Sequence, residues 1–193
     1  MPRLCIVPRW GGGPERDFYP WLRAALQAEQ PPRFSQILSP DMPNPSTPTI
    51  AAWVGHLASL LPAADAAQRA VLGQTVLMGH SVGCQAAMRY LAGLPEGVTL
   101  AGAVYVAGWL SVDRPWDSIL PWMHTPIDFA AARARAHQHI LLLSDNDPFT
   151  ADHARTAAAF REQLGATVVL APGRRHFNET AEPAVLDLLR EHF

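Results

Sequence analysis

Cysteine is scarce in this chain, since only Cys5 and Cys84 occur among its 193 residues. Two cysteines cannot form the disulfide framework of a small secreted domain, and no His or Cys stands at a zinc-site spacing. Cys5 lies in a short apolar run and Cys84 follows a predicted turn, so both are expected to be buried as small hydrophobic side chains. We therefore expect neither a metal site nor a cofactor.

Long apolar runs and basic runs are also missing. No stretch reaches the roughly 18 apolar residues that a membrane span needs. The first apolar run, residues 4–7, is too short for a signal peptide. The formal net charge is −2, without the basic stripe that is typical of nucleic-acid binding. These features favour a cytoplasmic protein that acts on a small molecule rather than on nucleic acid or a membrane.

The apolar residues that are present suffice for one large core. Hydrophobic residues make up 49% and charged residues 17% of the chain, as in soluble globular proteins. We expect residues 1–193 to form a single domain. Short apolar runs alternate with helix-like stretches, which indicates βαβ units around a parallel sheet with both faces covered. The predicted strands are residues 4–7, 34–38, 75–78, 100–106, 139–143 and 167–170.

Helices are predicted between these strands from apolar residues three and four positions apart. They span residues 19–29, 49–61, 82–92, 151–164 and 182–192, which places helices on both faces of a three-layer α/β sandwich. Residues 40–48 contain four prolines and are expected to form a loop. Residues 108–129 are rich in Trp and Pro, and so long a connection is usually functional or carries short helices of its own.

The motif Gly-x-Ser-x-Gly occupies residues 79–83, between a predicted strand and a predicted helix. This context is typical of the nucleophile elbow of an α/β hydrolase, where a strained turn lifts the serine hydroxyl above the sheet. Gly79 and Gly83 stand where a Cβ atom would clash across the turn. The motif and its context together predict Ser81 as a nucleophile.

Backbone donors for an oxyanion are expected at two places. Val82 opens the helix after the nucleophile, where N–H groups are free and the helix dipole is positive. The second donor is expected from the loop at residues 8–13, whose glycines allow close approach of a substrate. Trp10 is the favoured donor and Arg9 the alternative, and Arg9 is expected to line the substrate pocket.

The partners of the serine should follow it in the order acid, then histidine. Asp145 and Asp147 follow one predicted strand, and His176 follows the next. Open α/β sheets bind ligands beyond the carboxyl ends of their strands, so these groups are expected to meet Ser81. His176 would take the serine proton while one aspartate orients the imidazole. Asp145 is nearer its strand, whereas Asp147 precedes a proline that restricts its backbone, so the residues alone leave both open.

Aromatic side chains near these groups suggest an apolar pocket for an acyl group. Trp109, Phe149 and Phe177 are the candidates, and the alternative for the Trp-rich segment is an ordinary packed surface loop. Arg174 and Arg175 precede His176. We expect them to be solvated, with attraction of a substrate carboxylate as the alternative.

Six groups of residues, spread along nearly the whole chain, carry a family resemblance. They are Ile6-Val7-Pro8 with Gly11-Gly12-Gly13, Asp41-Met42-Pro43-Asn44-Pro45, Gly79-His80-Ser81-Val82-Gly83, Ala86-Ala87-Met88-Arg89-Tyr90, Ser144 with Asp147-Pro148-Phe149, and His176-Phe177-Asn178. Together they resemble the retinoblastoma-binding-protein-9-like serine hydrolases, which are compact α/β hydrolases. The resemblance implies a triad of Ser81, Asp147 and His176 on about six parallel strands without a large cap domain. It also implies action on small esters and, in some members, on amides or aminopeptidase substrates.

The expected function is hydrolysis of a small ester through an acyl-enzyme on Ser81. A thioesterase or an aminopeptidase with the same triad is the first alternative. The second is a protein-interaction module on a hydrolase fold, since a fold alone does not determine function.

Overall fold

The computed structural model describes all 193 residues and contains six strands and eight helices. The strands are Arg3–Val7 (β1), Gln36–Leu38 (β2), Thr75–His80 (β3), Gly102–Val106 (β4), His139–Leu143 (β5) and Thr167–Leu170 (β6). The helices are Tyr19–Gln27 (α1), Ile50–Leu60 (α2), Ala66–Leu72 (α3), Val82–Ala92 (α4), Leu120–His124 (α5), Phe129–Ala134 (α6), His153–Leu164 (α7) and Pro183–His192 (α8).

All six strands are parallel and form one sheet in the order β2-β1-β3-β4-β5-β6. The predicted α/β class and strand number are thereby confirmed. From β1 the chain first adds β2 on one side and then places β3 on the other, so the strand order reverses between β1 and β3. In open α/β sheets a ligand binds at this kind of reversal, beyond the carboxyl ends of the strands.

Alternate residues of the central strands pack into two separate cores, because successive strand side chains point to opposite faces. Leu77 and Tyr105 join the core beneath α2, α4 and α7, whereas Val76 and Val104 join the core beneath α1 and α8. The expectation of coverage on both faces is wrong for the edge strands. In β6, Leu170 is 45% exposed, and no residue of β2 or β6 is fully buried.

The structure corrects several predicted boundaries. Strands β2 and β4 begin two residues later than predicted, and α3 was not predicted at all. Helix α3 is short and buries only Leu72, so it lacks an apolar stripe, although the Asp65 side chain caps its first turn by accepting from the Gln68 N–H at 2.8 Å. Residues 40–48 form no helix or strand, as predicted, and residues 108–129 contain a 3₁₀ turn at Asp117–Ile119 and helix α5.

None of the helices combines the length and the apolar character needed to cross a bilayer.

Candidate active site

Ser81 occupies a strained turn between β3 and α4. Its backbone angles, φ 55° and ψ −118°, are unusual for a residue with a side chain. A Cβ atom on Gly79 would lie 2.6 Å from the backbone of Gly83, and one on Gly83 would collide with the carbonyl oxygens of Val7 and Pro8. Both positions therefore require glycine for the turn to close against β1.

A hydrogen-bonded chain joins the three side chains implied as a triad. The Ser81 Oγ lies 2.8 Å from His176 Nε2, and His176 Nδ1 lies 2.7 Å from Asp147 Oδ2. The other carboxylate oxygen of Asp147 accepts from the Phe149 N–H at 2.9 Å. All three side chains are buried, and Ser81 retains 8% exposure. The arrangement leaves the imidazole oriented by a carboxylate on one side and facing a hydroxyl on the other.

Asp145 lies in the same loop but does not reach His176. Its side chain is exposed and binds the backbone of the loop after β6 instead. Three side chains of the loop after β5 bind that second loop in this way: Asp145 accepts from Gly173 N–H at 2.8 Å, Ser144 from Arg174 N–H at 2.9 Å, and Asn146 from Arg175 N–H at 2.7 Å. The loop that carries His176 is thus fastened to the loop that carries Asp147.

The two predicted oxyanion donors, Val82 and Trp10, line the same cavity as Ser81. Val82 is the first residue of α4, so its N–H has no acceptor within the helix. The Arg9 N–H donates to the Tyr19 hydroxyl at 3.0 Å, whereas the Trp10 N–H has no acceptor within the chain. Of the two donors considered in this loop, Trp10 is therefore the one that is free.

A cavity of about 230 Å³ opens beside Ser81 and is mainly apolar. An aromatic row runs along its rim, with ring centroids 5.6 Å apart for Trp10 and Trp116, 6.3 Å for Trp116 and Phe149, and 4.6 Å for Phe149 and His176. The lining residues are Arg9, Trp10, Ser81, Val82, Trp109, Val112, Trp116, Ile119, Phe149, His176 and Asn178. The predicted pocket residues Arg9, Trp109 and Phe149 are among them.

The prediction that Phe177 lines the pocket is wrong. Its side chain is fully buried in the core beneath α1 and α8, on the opposite side of the loop from the cavity that His176 faces. The expectation of a solvated Arg174 is also wrong, because its guanidinium pairs with the buried Glu182 carboxylate at 2.5 Å. Arg175 is exposed, as expected.

Buried side chains of α4 hold the Trp-rich segment, residues 108–129, through hydrogen bonds. Gln85 donates from its amide to the Trp109 carbonyl at 2.5 Å and accepts from the Arg89 guanidinium at 2.5 Å. Arg89 also donates to the carbonyls of Trp122 and Thr125, at 3.0 and 2.6 Å. Burial lowers the pKa of the Arg89 guanidinium from 12.5 to about 10. The helix that begins directly after Ser81 thus also holds the pocket wall.

Four lining residues were not predicted individually, namely Val112, Trp116, Ile119 and Asn178. The first three belong to the Trp-rich segment, whose length and composition were the available signal. Asn178 lies two residues after His176, in a motif that carried the family resemblance.

A parallel sheet with a serine elbow, helices on both faces and a cleft at the strand reversal defines an α/β hydrolase. The chain belongs to the serine hydrolase family, whose family model matches residues 4–188. The resemblance derived from the motifs is thereby confirmed.

Two curated proteins illustrate the relationship. The chain is 25% identical to protein YdeN of Bacillus subtilis (strain 168) over 198 residues, which cover 99% of this chain and 96% of that protein. It is 36% identical to the serine hydrolase RBBP9 of Rattus norvegicus over 90 residues, which cover 46% of this chain and 42% of that protein.

Solved structures show the same fold. The crystal structure of the ydeN gene product from B. subtilis matches with a TM-score of 0.82 and 22% identity, covering 100% of this chain and 99% of that one. The esterase-like neighbours include Est1E from Butyrivibrio proteoclasticus with ferulic acid bound, with a TM-score of 0.69 and 14% identity. That comparison covers 99% of this chain and 87% of Est1E.

Proposed function

We propose that this protein hydrolyses small carboxylic esters through an acyl-enzyme formed on Ser81. The observation that carries the proposal is the continuous chain from Ser81 through His176 to Asp147, with bonds of 2.8 and 2.7 Å. In this assignment Ser81 is the nucleophile, His176 the general base and Asp147 the group that orients the imidazole.

In the first step the Ser81 Oγ bonds to the carbonyl carbon of the ester, and its proton passes to His176 Nε2. The electron pair of the C=O double bond moves onto the carbonyl oxygen, which the N–H groups of Val82 and Trp10 stabilise. Asp147 accepts from Nδ1–H and stabilises the imidazolium. Such preorganised donors act where charge develops, and losing one typically costs about 10²–10³ in rate.

The tetrahedral intermediate then collapses and re-forms the C=O bond. The bond to the alcohol oxygen breaks, and that oxygen takes the proton from His176 Nε2, which leaves the acyl group on Ser81. Water attacks the acyl-enzyme in turn, giving one proton to His176. The bond to Ser81 Oγ breaks, the serine regains its proton, and the carboxylic acid leaves.

The cavity supports a compact, apolar acyl group. Its volume of about 230 Å³ lies below the roughly 300–1,000 Å³ of typical ligand pockets. No Asp or Glu lines it, so it offers no carboxylate to the free amino group of an aminopeptidase substrate. This observation favours an ester over a peptide with a free N-terminus.

The test is labelling with a fluorophosphonate probe, followed by peptide mapping and by steady-state hydrolysis of p-nitrophenyl esters of two to eight acyl carbons. We expect one label, at Ser81, and a preference for the shorter chains. Ser81→Ala should abolish labelling and lower kcat by about 10⁶. A proline p-nitroanilide serves as the aminopeptidase substrate and should be hydrolysed poorly.

Labelling at another residue, or full ester hydrolysis by a folded Ser81→Ala variant, would refute the triad. The absence of any label on folded wild-type protein would instead favour the interaction-module alternative.

A further inference from the structure

We infer that His80 and Tyr19 form a positioning pair. The pair fixes the loop at residues 8–13, which carries the Trp10 N–H, relative to the loop after β6, which carries His176. The inference rests on the proposed function, because it concerns the geometry of that same site. Neither residue lines the cavity, so their effect on the reaction would pass through the groups they hold.

The pair bridges two loops that lie far apart in sequence. The Tyr19 hydroxyl is 3.0 Å from the Arg9 backbone nitrogen and 2.7 Å from His80 Nδ1. On its other side, His80 Nε2 is 2.8 Å from the backbone oxygen of His176. The side chains of Tyr19 and His80 are both fully buried, so water does not compete for these bonds.

The chemistry of the atoms allows one proton arrangement. The His176 carbonyl only accepts, so His80 Nε2 must carry the proton and donate it. In a neutral imidazole Nδ1 is then unprotonated and accepts from the Tyr19 hydroxyl, whose oxygen in turn accepts from the Arg9 N–H. Every polar atom in the bridge is then satisfied.

His80 remains neutral in this arrangement. Burial, aided by the neighbouring His176, lowers the pKa of His80 well below its usual value of 6.5. The neighbouring charged groups do not favour a protonated His80. The Asp17 carboxylate is bound to the Arg9 guanidinium at 2.9 Å, and no carboxylate contacts the His80 ring. A charged His80 would have to donate from both nitrogens and would break the bond from the Tyr19 hydroxyl.

The bridge ends next to the free oxyanion donor. Tyr19 accepts from the Arg9 N–H, and the next N–H along the loop, that of Trp10, is unbonded. At the other end, the carbonyl of His176 belongs to the residue whose side chain faces Ser81. His80 itself is the residue directly before the nucleophile. The donor, the base and the nucleophile are therefore tied together through one imidazole.

The test uses variants that cut the bridge at different points. Tyr19→Phe removes only the hydroxyl oxygen. His80→Asn keeps an acceptor near the Nδ1 position but is too short to donate to the His176 carbonyl, whereas His80→Gln can reach the carbonyl but offers the hydroxyl no acceptor at Nδ1. Misplacing catalytic groups by about 1 Å costs roughly 10²-fold, so we expect kcat to fall by about 10- to 100-fold.

The molecule supplies a matched control elsewhere. Tyr105 and His139 form a second buried pair, with the hydroxyl 3.0 Å from Nδ1, and His139 Nε2 lies 3.1 Å from the Arg133 carbonyl. This pair repeats the hydroxyl–imidazole–carbonyl chain, without a backbone N–H on the hydroxyl, and touches neither loop of the site. Tyr105→Phe should lower thermal stability while leaving kcat and KM unchanged.

Two further readouts separate positioning from general destabilisation. KM should change little for Tyr19→Phe and His80→Asn, and the double variant should lose no more activity than the worse single one, since both cut one bridge. In proton NMR, the far-downfield resonance of the His176 Nδ1–H bonded to Asp147 should shift in these variants and not in Tyr105→Phe.

Wild-type kcat, KM and downfield resonance in folded Tyr19→Phe would overturn the inference, even if the His80 variants failed to fold. Hydrolysis that survives Ser81→Ala would overturn the proposed function instead. The resonance needs no turnover, so it tests the bridge in either case.

Discussion

Replacing Asp147 by asparagine isolates the role of one carboxylate without changing its size. In the wild-type protein one oxygen accepts from the Phe149 N–H at 2.9 Å and the other from His176 Nδ1 at 2.7 Å. Asparagine has a single carbonyl oxygen, so its NH₂ group must face one of these two partners. If the NH₂ group faced Phe149, it would point at the buried Phe149 N–H, and these two opposed donors would cost roughly 1–3 kcal/mol.

The other orientation satisfies every group and is therefore favoured. The asparagine oxygen keeps the Phe149 N–H, and its NH₂ group donates to His176 Nδ1. The imidazole then carries its proton on Nε2, where it points at Ser81 and cannot accept the serine proton. The wrong tautomer of a triad histidine lowers kcat by about 10⁴, which corresponds to about 5 kcal/mol of lost transition-state stabilisation.

The assay is steady-state hydrolysis of p-nitrophenyl acetate, with thermal unfolding as a check on folding. Asp145→Asn is the matched control, because that exposed carboxylate binds only the Gly173 N–H. One hydrogen bond of this kind is worth about 0.5–1.5 kcal/mol, so the control should retain at least about a tenth of wild-type kcat. An Asp147→Asn variant within tenfold of wild type, or a control equally impaired, would refute the reasoning.

Three further changes have defined expected outcomes. The Trp109 indole nitrogen lies 3.4 Å from Ser81 Oγ, so Trp109→Phe should lower kcat in the ester assay by less than about tenfold. Below pH 6.5, His80 gains a proton in the unfolded protein but not in the folded one, so the free energy of unfolding of the wild type falls as the pH falls. In urea unfolding, His80→Asn should reduce this slope by up to about 1.4 kcal/mol per pH unit. Gly83→Ala places a Cβ against backbone oxygens and should lower the free energy of unfolding by about 1–3 kcal/mol or more. Gly55 lies within α2 with open space around its Cβ position, so Gly55→Ala should raise the free energy of unfolding by about 1 kcal/mol.

A specific result would contradict each of these three expectations. A loss above a hundredfold in Trp109→Phe would mean that the indole N–H contributes more to the reaction than one long hydrogen bond to Ser81 Oγ can. An unchanged pH slope in His80→Asn would mean that folded His80 titrates normally. A Gly83→Ala variant as stable as wild type would mean that β1 and the elbow do not pack as closely as described.

The central sheet was predictable because its residues are covered on both faces and so read as apolar runs. Helix α4 matches its prediction at both ends, since the serine motif determines its start and Gly93 follows its last residue. Edge strand β6 also matches its prediction at residues 167–170, although it is partly exposed. Helix α3 buries only Leu72, so apolar patterning carries little information about it.

The site was predictable only where chain order and motif determine position. The loop after β5 offered two carboxylates, and the sequence itself could not show that Asp145 turns to the backbone of Gly173. Phe177 was misplaced because the direction of a side chain in a turn depends on backbone angles, here φ 54°. The partners of His80 lie 61 and 96 residues away, beyond the reach of any local pattern.

The attachment of the Trp-rich segment to Gln85 and Arg89 has a consequence for engineering. These bonds hold the segment by its backbone carbonyls, at Trp109, Trp122 and Thr125. The side chains of Val112 and Ile119 lie between the attachment points, line the cavity and are held by apolar packing in the core. Apolar substitutions of similar volume at these two positions should therefore change the shape of the cavity while the backbone path of the segment and the position of Ser81 stay the same. The bonds that hold the segment are thus distinct from the side chains that shape the cavity.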